Sequence, residues 1–228
     1  MTPASSRMVD FNEQRYSKES EQSIVDEHRH RMIVSMVGTD YKVLDVGCHD
    51  GTIGRKIMEN GNEVVGVDIS ANAVALAKAN GLEAYQVDLT GDEKMPFDKA
   101  SFDVIVAGEI IEHIIDTDGF LLKIRDLLKP NGKLVLTTPN IASLGRRFLL
   151  MLGQNPRTET RLDENVAGHL RYFTKKTLFE LLQDNGFRPV RFSSDVVNFR
   201  KNGSLHSALL ARAWPTIGAA LIVQAVIE

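Results

Sequence analysis

Residues 42–54, KVLDVGCHDGTIG, constrain the fold of this chain more than any other stretch. Their first half is a short apolar run, typical of a strand that is buried on both faces of a sheet. Gly47 and Gly51 interrupt the run, and the residues from Thr52 onward have the pattern of the first turns of a helix. A strand, a glycine-containing turn and a helix in this order place a ligand at the carboxyl end of a parallel sheet. Glycine lets the backbone turn tightly there and approach the ligand closely.

The glycine spacing argues against two common nucleotide motifs. A dinucleotide fingerprint needs G-x-G-x-x-G so that bare backbone meets a pyrophosphate, but His49 and Asp50 stand between Gly47 and Gly51. The sequence also contains no G-x-x-x-x-G-K-[ST]. Asp45 adds negative charge beneath the turn, so a ligand with an ammonium group suits the turn better than one that carries phosphates.

The stretch DVGCHDG resembles the first motif of class I S-adenosylmethionine (SAM) dependent methyltransferases, D/E-x-G-x-G-x-G. His49 replaces the middle glycine of that motif. The resemblance implies that the turn binds the cofactor through Asp45, Gly47, Cys48, His49 and Gly51. Taken alone, this stretch has an alternative interpretation as an ordinary strand-to-helix turn of another α/β enzyme.

An acid follows the next apolar run. Asp68 comes after residues 63–67, about 20 residues past the glycine turn, where α/β nucleotide folds place a carboxylate on ribose hydroxyls. VGVDIS matches the family's second motif, which implies that Asp68 and Ile69 bind the cofactor. A helix N-cap by Asp68 or Ser70 is the alternative, and both roles can hold at once.

Three later strands extend the resemblance. After the predicted strand 83–87, the family pattern assigns Asp88 to the adenine amino group and the backbone N–H of Leu89 to a ring nitrogen. FDVIVA at 102–107 and LVLTT at 134–138 resemble the family's next two strands. We therefore expect the carboxyl end of the strand 102–107 to face the methyl group of SAM, with Glu109 just after it among the cofactor-binding residues.

The resemblance is strongest over residues 40–140 and implies a single-domain α/β fold. We expect a Rossmann-like seven-stranded sheet that is mostly parallel, has an antiparallel last strand and carries helices on both faces. The expected division is an N-terminal tail and lid helix at 1–38 and a methyltransferase domain at 39–228, with an acceptor-site insertion at about 141–173. The final strands are expected at 187–192 and 220–227.

A helix is predicted over residues 22–37, with His28, Arg29, His30 and Arg31 in its middle. One interpretation of these four side chains is a contact with substrate or cofactor. The other, which we favour from the sequence, is a solvated helix face.

Composition sets limits on the class of protein. A chain of 228 residues with 43% hydrophobic residues can form one globular α/β domain. A net charge of −3 does not show the excess of positive charge that is typical of proteins that bind nucleic acid, so we expect no nucleic-acid partner. Cys48 is the single cysteine and cannot form an internal disulfide, which favours a reducing, cytoplasmic setting.

Neither end of the chain has the pattern of a targeting or membrane segment. The first residues are polar and lack the apolar core of a secretory signal. Residues 208–227 are mostly apolar, but Arg212, Pro215 and Gln224 leave less than the ~20 uninterrupted residues that a membrane span needs. We therefore interpret residues 220–227 as a buried strand.

The candidate chemistry centres on Glu109, Glu112 and His113, the sequence E-x-x-E-H. If this segment is helical, Glu109 lies over Glu112 and His113. His169, in GHLRYFT, can complete a set of four. Carboxylates and imidazoles at the mouth of a cofactor pocket can serve as metal ligands or as acid and base.

E-x-x-E-H after the fourth strand resembles two groups of methyltransferases. One is the ubiquinone-biosynthesis O-methyltransferases, and the other is the small-RNA 3′-terminal 2′-O-methyltransferases. Both resemblances imply a divalent cation (Mg, Mn or Zn) held by Glu109, Glu112, His113 and His169, which draws acceptor hydroxyls into place and favours their ionised form. The alternative is a metal-free site in which His113 acts as general base or bonds locally, and His169 caps a helix or gates the pocket.

The region after the fifth strand is expected to select the acceptor. Residues 141–152 form an apolar helix with Arg146 and Arg147, which suits a lipid-tailed acceptor or a membrane surface. The alternative, which we favour from the sequence, is a helix that covers the sheet or builds the acceptor pocket. We predict that the polar loop 153–168 is a mobile lid.

The sequence thus predicts a SAM-dependent methyltransferase that acts on a hydroxyl of a small-molecule, sugar or lipid-linked acceptor, with at most peripheral membrane contact. Three alternatives stay open. A nucleic-acid 2′-O-methyltransferase shares E-x-x-E-H, and a non-catalytic SAM-binding protein is compatible with His49 in the motif. An NAD-dependent oxidoreductase shares the logic of Asp68 but lacks the third glycine in register.

Overall fold

A seven-stranded sheet forms the centre of the computed structural model, which describes residues 24–89, 96–156, 168–199 and 205–228. Its strands are β1 (Lys42–Val46), β2 (Glu63–Asp68), β3 (Glu83–Gln86), β4 (Phe102–Gly108), β5 (Leu128–Pro139), β6 (Phe187–Ser193) and β9 (Ala220–Ile227). A separate short hairpin pairs β7 (Val197–Asn198) with β8 (His206–Ser207). The order β3-β2-β1-β4-β5-β9-β6 confirms the predicted sheet.

Helices flank this sheet on both faces, as predicted. They are α1 (Ile24–Val37), α2 (Thr52–Glu59), α3 (Ala71–Ala79), α4 (Thr117–Leu127), α5 (Leu144–Met151), α6 (Lys175–Asp184) and α7 (Ala208–Ala213). Single 3₁₀ turns occur at Ile111–His113 and Pro215–Ile217. None of the helices in the described ranges is both long and apolar enough to span a membrane.

The pairing pattern fixes where a ligand can bind. β2, β1, β4 and β5 run parallel, and β1 lies between β2 and β4 with Val46 opposite both Val67 and Ala107. The strand order therefore reverses direction at β1 and β4, which makes their carboxyl ends the expected crevice of an open α/β sheet. β9 runs antiparallel to both β5 and β6, which confirms the predicted antiparallel last strand.

Alternation along β1 divides the core into two layers. Leu44 and Val46 face the layer that α4 and α6 cover, whereas Val43 faces the layer under α1, α2 and α3. All three side chains are fully buried. This is the environment that the continuous apolar run predicted, because a parallel strand in the middle of such a sheet is covered on both faces.

Some boundaries differ from the expectations. β5 begins at Leu128, earlier than the predicted 134–138, because Phe102 pairs with Leu128 before a register shift in β4. The helix predicted at 141–152 is shorter, since Asn140 accepts from Ala142 N–H and delays the first helical turn. The β7–β8 hairpin was not predicted. The predicted tail and most of the predicted lid, residues 1–23 and 157–167, lie outside the described residues.

Candidate active site

The turn after β1 is built from left-handed backbone. Gly47, His49 and Gly51 have φ of 73°, 48° and 80°. The N–H groups of Gly47 and Cys48 both donate to the carbonyl of Val67, at 2.8 and 3.0 Å, which fixes the turn to the end of β2. A Cβ on Gly47 would lie 2.9 Å from Cδ1 of Ile110, so both the conformation and the space at this position require glycine.

His49 keeps the geometry of the glycine that it replaces. Its φ of 48° lies in the left-handed region, which histidine visits more readily than most side chains. Its backbone N–H donates to Oδ2 of Asp68 at 3.0 Å, and its Nδ1 lies 3.4 Å from Oδ1 of Asp50. The hydrogen bond from the His49 side chain is the main reason that the pKa of Asp50 is lowered. The substituted motif therefore still forms the turn.

Asp68 ends β2 as a buried carboxylate. Its two oxygens accept from the N–H groups of His49 and Ser70, each at 3.0 Å. Burial raises the pKa of Asp68, although these two backbone donors act in the opposite direction. Each oxygen keeps a second lone pair, so the carboxylate can still accept from two adjacent ribose hydroxyls. The N-cap of α3 is Ser70, whose Oγ accepts from Ala73 N–H.

Asp45 and Cys48 turn their side chains away from the cleft. Asp45 is buried beneath α2, where a Cβ on Gly54 would lie 3.1 Å from its Oδ2. Cys48 packs against Gly66, at which a Cβ would lie 2.8 Å from the sulfur. Burial raises the pKa of the Cys48 thiol, which argues against a nucleophile. Only their backbones are positioned to meet a ligand directly.

The predicted adenine site follows β3. Val87 N–H donates to the carbonyl of Asp68, which joins this segment to the ribose site. Asp88 is half-buried and Leu89 is buried, while Nζ of Lys123 on α4 donates to the Leu89 carbonyl at 3.1 Å. Nε2 of Gln86 donates to the carbonyl of Ile69 at 3.1 Å. The predicted cofactor residues thus line consecutive strand ends.

These observations fit SAM. The left-handed glycines put backbone rather than side chains into the turn at the end of β1, and the buried carboxylate of Asp68 suits ribose hydroxyls. The site also lies at the carboxyl ends of β1, β2 and β4, where an open α/β sheet binds its ligand.

Glu109 does not lie over Glu112 and His113, as a helix would have required. Its φ of 53° departs from helical backbone, and the 3₁₀ turn begins only at Ile111. Its N–H donates to the Thr137 carbonyl at 3.0 Å, and Thr137 Oγ1 donates to its Oε1 at 3.0 Å. Oε2 lies 3.5 Å from the guanidinium of Arg29 on α1. The segment is therefore not the continuous helix on which that arrangement depended.

The other three candidate residues come together. One ligand atom each from Glu112, His113 and His169 lies within 4.8 Å of the other two. Glu112 is 1% exposed, Thr138 Oγ1 donates to its Oε2 at 2.9 Å, and His169 Nε2 lies 3.7 Å from its Oε1. The imidazole rings of His113 and His169 lie 4.8 Å apart.

Backbone contacts hold this cluster in place. The carbonyl of Glu112 accepts from the N–H groups of Leu170 and Arg171, at 2.8 and 3.0 Å, which brings the segment of His169 to the end of β4. Nδ1 of His113 lies 3.2 Å from the Gly168 carbonyl. Because a carbonyl only accepts, this contact places the proton on Nδ1 and leaves the lone pair of the neutral ring on Nε2.

The cluster has the chemistry of a divalent cation site. Ligand atoms about 2.1 Å from a common cation are separated by roughly 3 to 4 Å. The Glu112–His169 pair has this spacing, at 3.7 Å, and all three ligand atoms lie within 4.8 Å of one another. Mixed carboxylate and imidazole donors suit Mg, Mn or Zn, and a backbone carbonyl that orients a histidine is the usual outer partner of such a ligand. Glu109 does not belong to this group.

Thr137 and Thr138 were not assigned from the sequence, and for Arg29 the favoured interpretation was a solvated helix face. Thr137 and Thr138 at the end of β5 bind Glu109 and Glu112. Arg29 reaches the site from α1 and is not part of a fully solvated helix face, because its side chain is 18% exposed. The HRHR sequence in α1 was the available signal for Arg29.

Comparison with known proteins identifies the family. The methyltransferase domain family matches residues 11–191, which is most of the chain. A ubiquinone biosynthesis O-methyltransferase from Bradyrhizobium diazoefficiens is 35% identical over 120 residues, 48% of this chain and 47% of that protein. The protein of the same name from Cereibacter sphaeroides is 28% identical over 163 residues, 69% of this chain and 64% of its own length. The match thus spans less than two thirds of these relatives.

Solved structures share the fold. The 1,6-didemethyltoxoflavin-N1-methyltransferase of Burkholderia thailandensis, solved with its acceptor and S-adenosylhomocysteine, has a TM-score of 0.66 at 20% identity. The alignment covers 100% of this chain and 91% of that one. At this level of identity the likeness extends to the fold alone.

Proposed function

This chain belongs to the methyltransferase domain family, and on that premise we propose that it transfers the methyl group of SAM to a hydroxyl oxygen of a small-molecule or lipid-linked acceptor. SAM supplies an electrophilic methyl group on a sulfonium. The protein must then hold the cofactor, align the acceptor oxygen with the methyl carbon and exclude water.

The cofactor role rests on the ends of β1, β2 and β3. In our proposal the backbone of Gly47, Cys48, His49 and Gly51 accommodates the amino acid part of SAM, and the buried side chain of Asp45 supports the turn from beneath. Asp68 accepts from the ribose, with the adjoining Ile69 along that edge, while Asp88 and the N–H of Leu89 meet the adenine. Support comes from the left-handed turn and from the two fixed backbone donors that orient Asp68.

The observation that carries the choice of a hydroxyl is the cluster of Glu112, His113 and His169. A hydroxyl is a weak nucleophile until its proton is removed or its oxygen is polarised, whereas a neutral amine needs neither. A buried carboxylate beside two imidazoles supplies this activation close to the cofactor turn, because Ile110, two residues before Glu112, packs over Gly47. The names of the O-methyltransferase relatives support the same choice.

We further propose that the cluster holds a divalent cation. Glu112, His113 and His169 are the ligands, which leaves coordination positions for acceptor oxygens, and the Lewis acidity of the cation favours ionisation of an acceptor hydroxyl. Glu109, the fourth ligand predicted from the sequence, lies at the rim of the site with Arg29 and contributes to the acceptor or the cofactor from there.

Methyl transfer with and without metal tests the proposal. Purified protein is dialysed against a chelator and assayed with labelled SAM and a panel of acceptors: catechols, phenols with and without a prenyl tail, sugars, primary amines, and a short RNA with a free 3′ end. We expect transfer to a hydroxyl of one of the small-molecule or prenylated acceptors, lost after chelation and restored by Mg²⁺, Mn²⁺ or Zn²⁺. Methylation of the RNA alone, or of amines alone, would contradict the proposed acceptor.

Two conservative variants separate the cofactor site from the cluster. Asp68→Asn should weaken SAM binding in calorimetric titration by at least about tenfold, since a buried acceptor of two hydroxyls becomes a partial donor. Glu112→Gln should leave SAM binding unchanged but abolish binding of Mn²⁺, measured by paramagnetic resonance. The exposed Glu59→Gln on α2 is the control for both. If Glu112→Gln binds Mn²⁺ like the unmodified protein, the cluster is not the metal site.

A further inference from the structure

Helix α5 exposes its apolar side chains to solvent. Leu144, Phe148 and Met151 are spaced i, i+4 and i+7 and therefore share one face of the helix. All three are exposed, Met151 to 74%, and no residue of α5 is buried. A helix on a globular domain normally turns such a stripe toward the core, so this face requires another explanation.

A neighbouring element extends the exposed surface. Nη2 of Arg147 on α5 donates to the carbonyl of Thr216 in the 3₁₀ turn that follows α7, so this turn lies against α5. Leu209 on α7 is 79% exposed and Trp214, just after α7, is 60% exposed. We call this surface the α5–α7 face and define it by Phe148, Met151, Leu152, Leu209 and Trp214, with Arg147 and Arg212.

The described segments that build the α5–α7 face carry more positive than negative charge. Residues 141–156, 194–199 and 205–220 carry three arginines, Arg146, Arg147 and Arg212, and one acid. That acid, Asp195, is 3% exposed and its Oδ1 accepts from the N–H groups of Val196 and Ala220, so it does not face outward. A chain with a net charge of −3 therefore presents a cationic apolar surface here.

We propose that the α5–α7 face binds the surface of an anionic lipid bilayer. Exposed Phe, Met, Leu and Trp side chains enter the boundary between headgroups and acyl chains, and flanking arginines pair with phosphates. A second copy of the chain suits the face less well, because a two-fold contact would bring the arginines of one copy toward those of the other. Trp214 is suited to the boundary because its ring is apolar and its indole N–H is polar.

The α5–α7 face lies next in the chain to the strand that carries part of the candidate site. α5 follows β5, whose end carries Thr138, the hydrogen-bond donor to Glu112. Bilayer contact therefore brings the edge of the sheet that carries the candidate site toward the lipid. The inference does not depend on the proposed reaction, because lipid binding requires neither cofactor nor acceptor.

Vesicle co-sedimentation of the whole chain tests the inference. The probes are vesicles of phosphatidylcholine alone and vesicles that also contain phosphatidylglycerol, each at low and high salt. We expect sedimentation with the anionic vesicles, weakened by salt because the Debye length shortens. The double variant Phe148→Ser/Met151→Ser should bind these vesicles at least about tenfold more weakly, since apolar insertion is lost, and Arg212→Gln should weaken binding at low salt only.

The matched control is Met58→Ser/Leu76→Ser, which removes two exposed apolar side chains from α2 and α3. It should bind vesicles like the unmodified protein, and all variants should retain the same SAM affinity and thermal midpoint. Three results would overturn the inference: no binding to any vesicle, equal loss in both double variants, or a concentration-dependent dimer in light scattering that Phe148→Ser/Met151→Ser abolishes. The last result would identify the face as an interface between copies.

Discussion

Asp45 is a buried acid at the centre of the cofactor turn. Burial raises its pKa to about 7, and the charges of Asp68 and Asp50 act in the same direction, against the N–H of Gly54. In the unfolded chain the same carboxyl has an ordinary pKa near 3.8. The folded protein therefore binds this proton more tightly than the unfolded chain does.

This difference predicts a pH dependence of stability. Between pH of about 4 and 7 the folded state holds more protons than the unfolded state, so the contribution of Asp45 is present below pH 4 and is lost as the pH rises through 7. Asp45→Asn should remove that loss. We expect the variant to gain stability relative to the parent between pH 5 and pH 8, by on the order of a few kcal/mol.

Urea unfolding of both proteins across this pH range measures the effect. The control is Asp40→Asn, which lies in the exposed turn before β1 and should leave the pH profile unchanged. Parallel pH profiles for the parent and Asp45→Asn would show that the buried carboxyl does not titrate in this window.

His49 shows what a motif can and cannot predict. The resemblance placed a strand-to-helix turn correctly at residues 47–51, although the middle glycine is missing. It did not predict how the turn tolerates a histidine in place of that glycine. The reason is the backbone conformation, because His49 adopts φ of 48° and donates its N–H to Asp68. Residue types indicate which type of turn a segment forms. The conformational free energy that a replacement costs depends on φ at that residue and on its local hydrogen bonds.

At the scale of elements, α1 is tied across the carboxyl edge of the sheet. Arg29 on α1 contacts Glu109 at the end of β4, and Lys56 on α2 pairs with Glu27 at 2.7 Å. The other end of α1 is held by Lys133 and Gln224, which donate to the carbonyls of Val37 and Met36. The N-terminal half of α1 is therefore attached to the domain by ion pairs, whereas the C-terminal half of α1 is also buried in the core.

We expect Arg29 to retain the cofactor by holding α1 over the site. Arg29→Met should raise the dissociation rate of SAM several-fold in stopped-flow measurements. The variant removes the ion pair between α1 and Glu109, so the first turns of α1 should detach from the site more often. Arg29→Lys should restore part of the effect, since a point charge keeps the pairing without the planar fork.

Arg31→Met is the matched control on the same helix. Arg31 is exposed and contacts His28, so its removal should leave SAM dissociation unchanged. Equal dissociation rates for Arg29→Met and Arg31→Met would contradict a role for the Arg29–Glu109 pair in closure.

Other elements show the same limit of local reasoning. Glu109 does not lie over Glu112 and His113, because it pairs with Thr137 on the neighbouring strand and the helical turn begins only at Ile111. The spacing E-x-x-E-H does not encode this contact between strands. The three-residue cluster nevertheless formed, since Glu112 and His113 are adjacent and His169 arrives through backbone bonds from Leu170 and Arg171 to the Glu112 carbonyl.

At the scale of the whole molecule, the sheet was largely predictable. Buried parallel strands are continuous apolar runs, so β1, β2 and β4 were visible directly. An apolar run does not say which strands it joins, so the position of β9 between β5 and β6 was not predicted. The family resemblance supplied only its antiparallel direction. The β7–β8 hairpin was missed since strands of two residues carry no periodic signal.

The position of β9 predicts how the molecule opens. Although β9 is the last strand in the chain, it lies between β5 and β6 and is bonded on both sides, whereas β3 is an edge strand bonded only to β2. Separating β9 from either neighbour breaks the core layers that contain Leu221, Ile222 and Val223. Its amides should therefore exchange only when the whole domain unfolds.

Hydrogen exchange at increasing denaturant, followed residue by residue, tests this prediction. We expect the amides of Leu221–Ala225 to show the full denaturant dependence of global unfolding, and those of β3 to exchange at least about tenfold faster through local opening. SAM should slow the exchange of β9 by the amount that it stabilises the fold, because ligand binding shifts only the global equilibrium there. Exchange of β9 at the rate of β3, independent of denaturant, would mean that the sheet separates at the antiparallel strand before the domain unfolds.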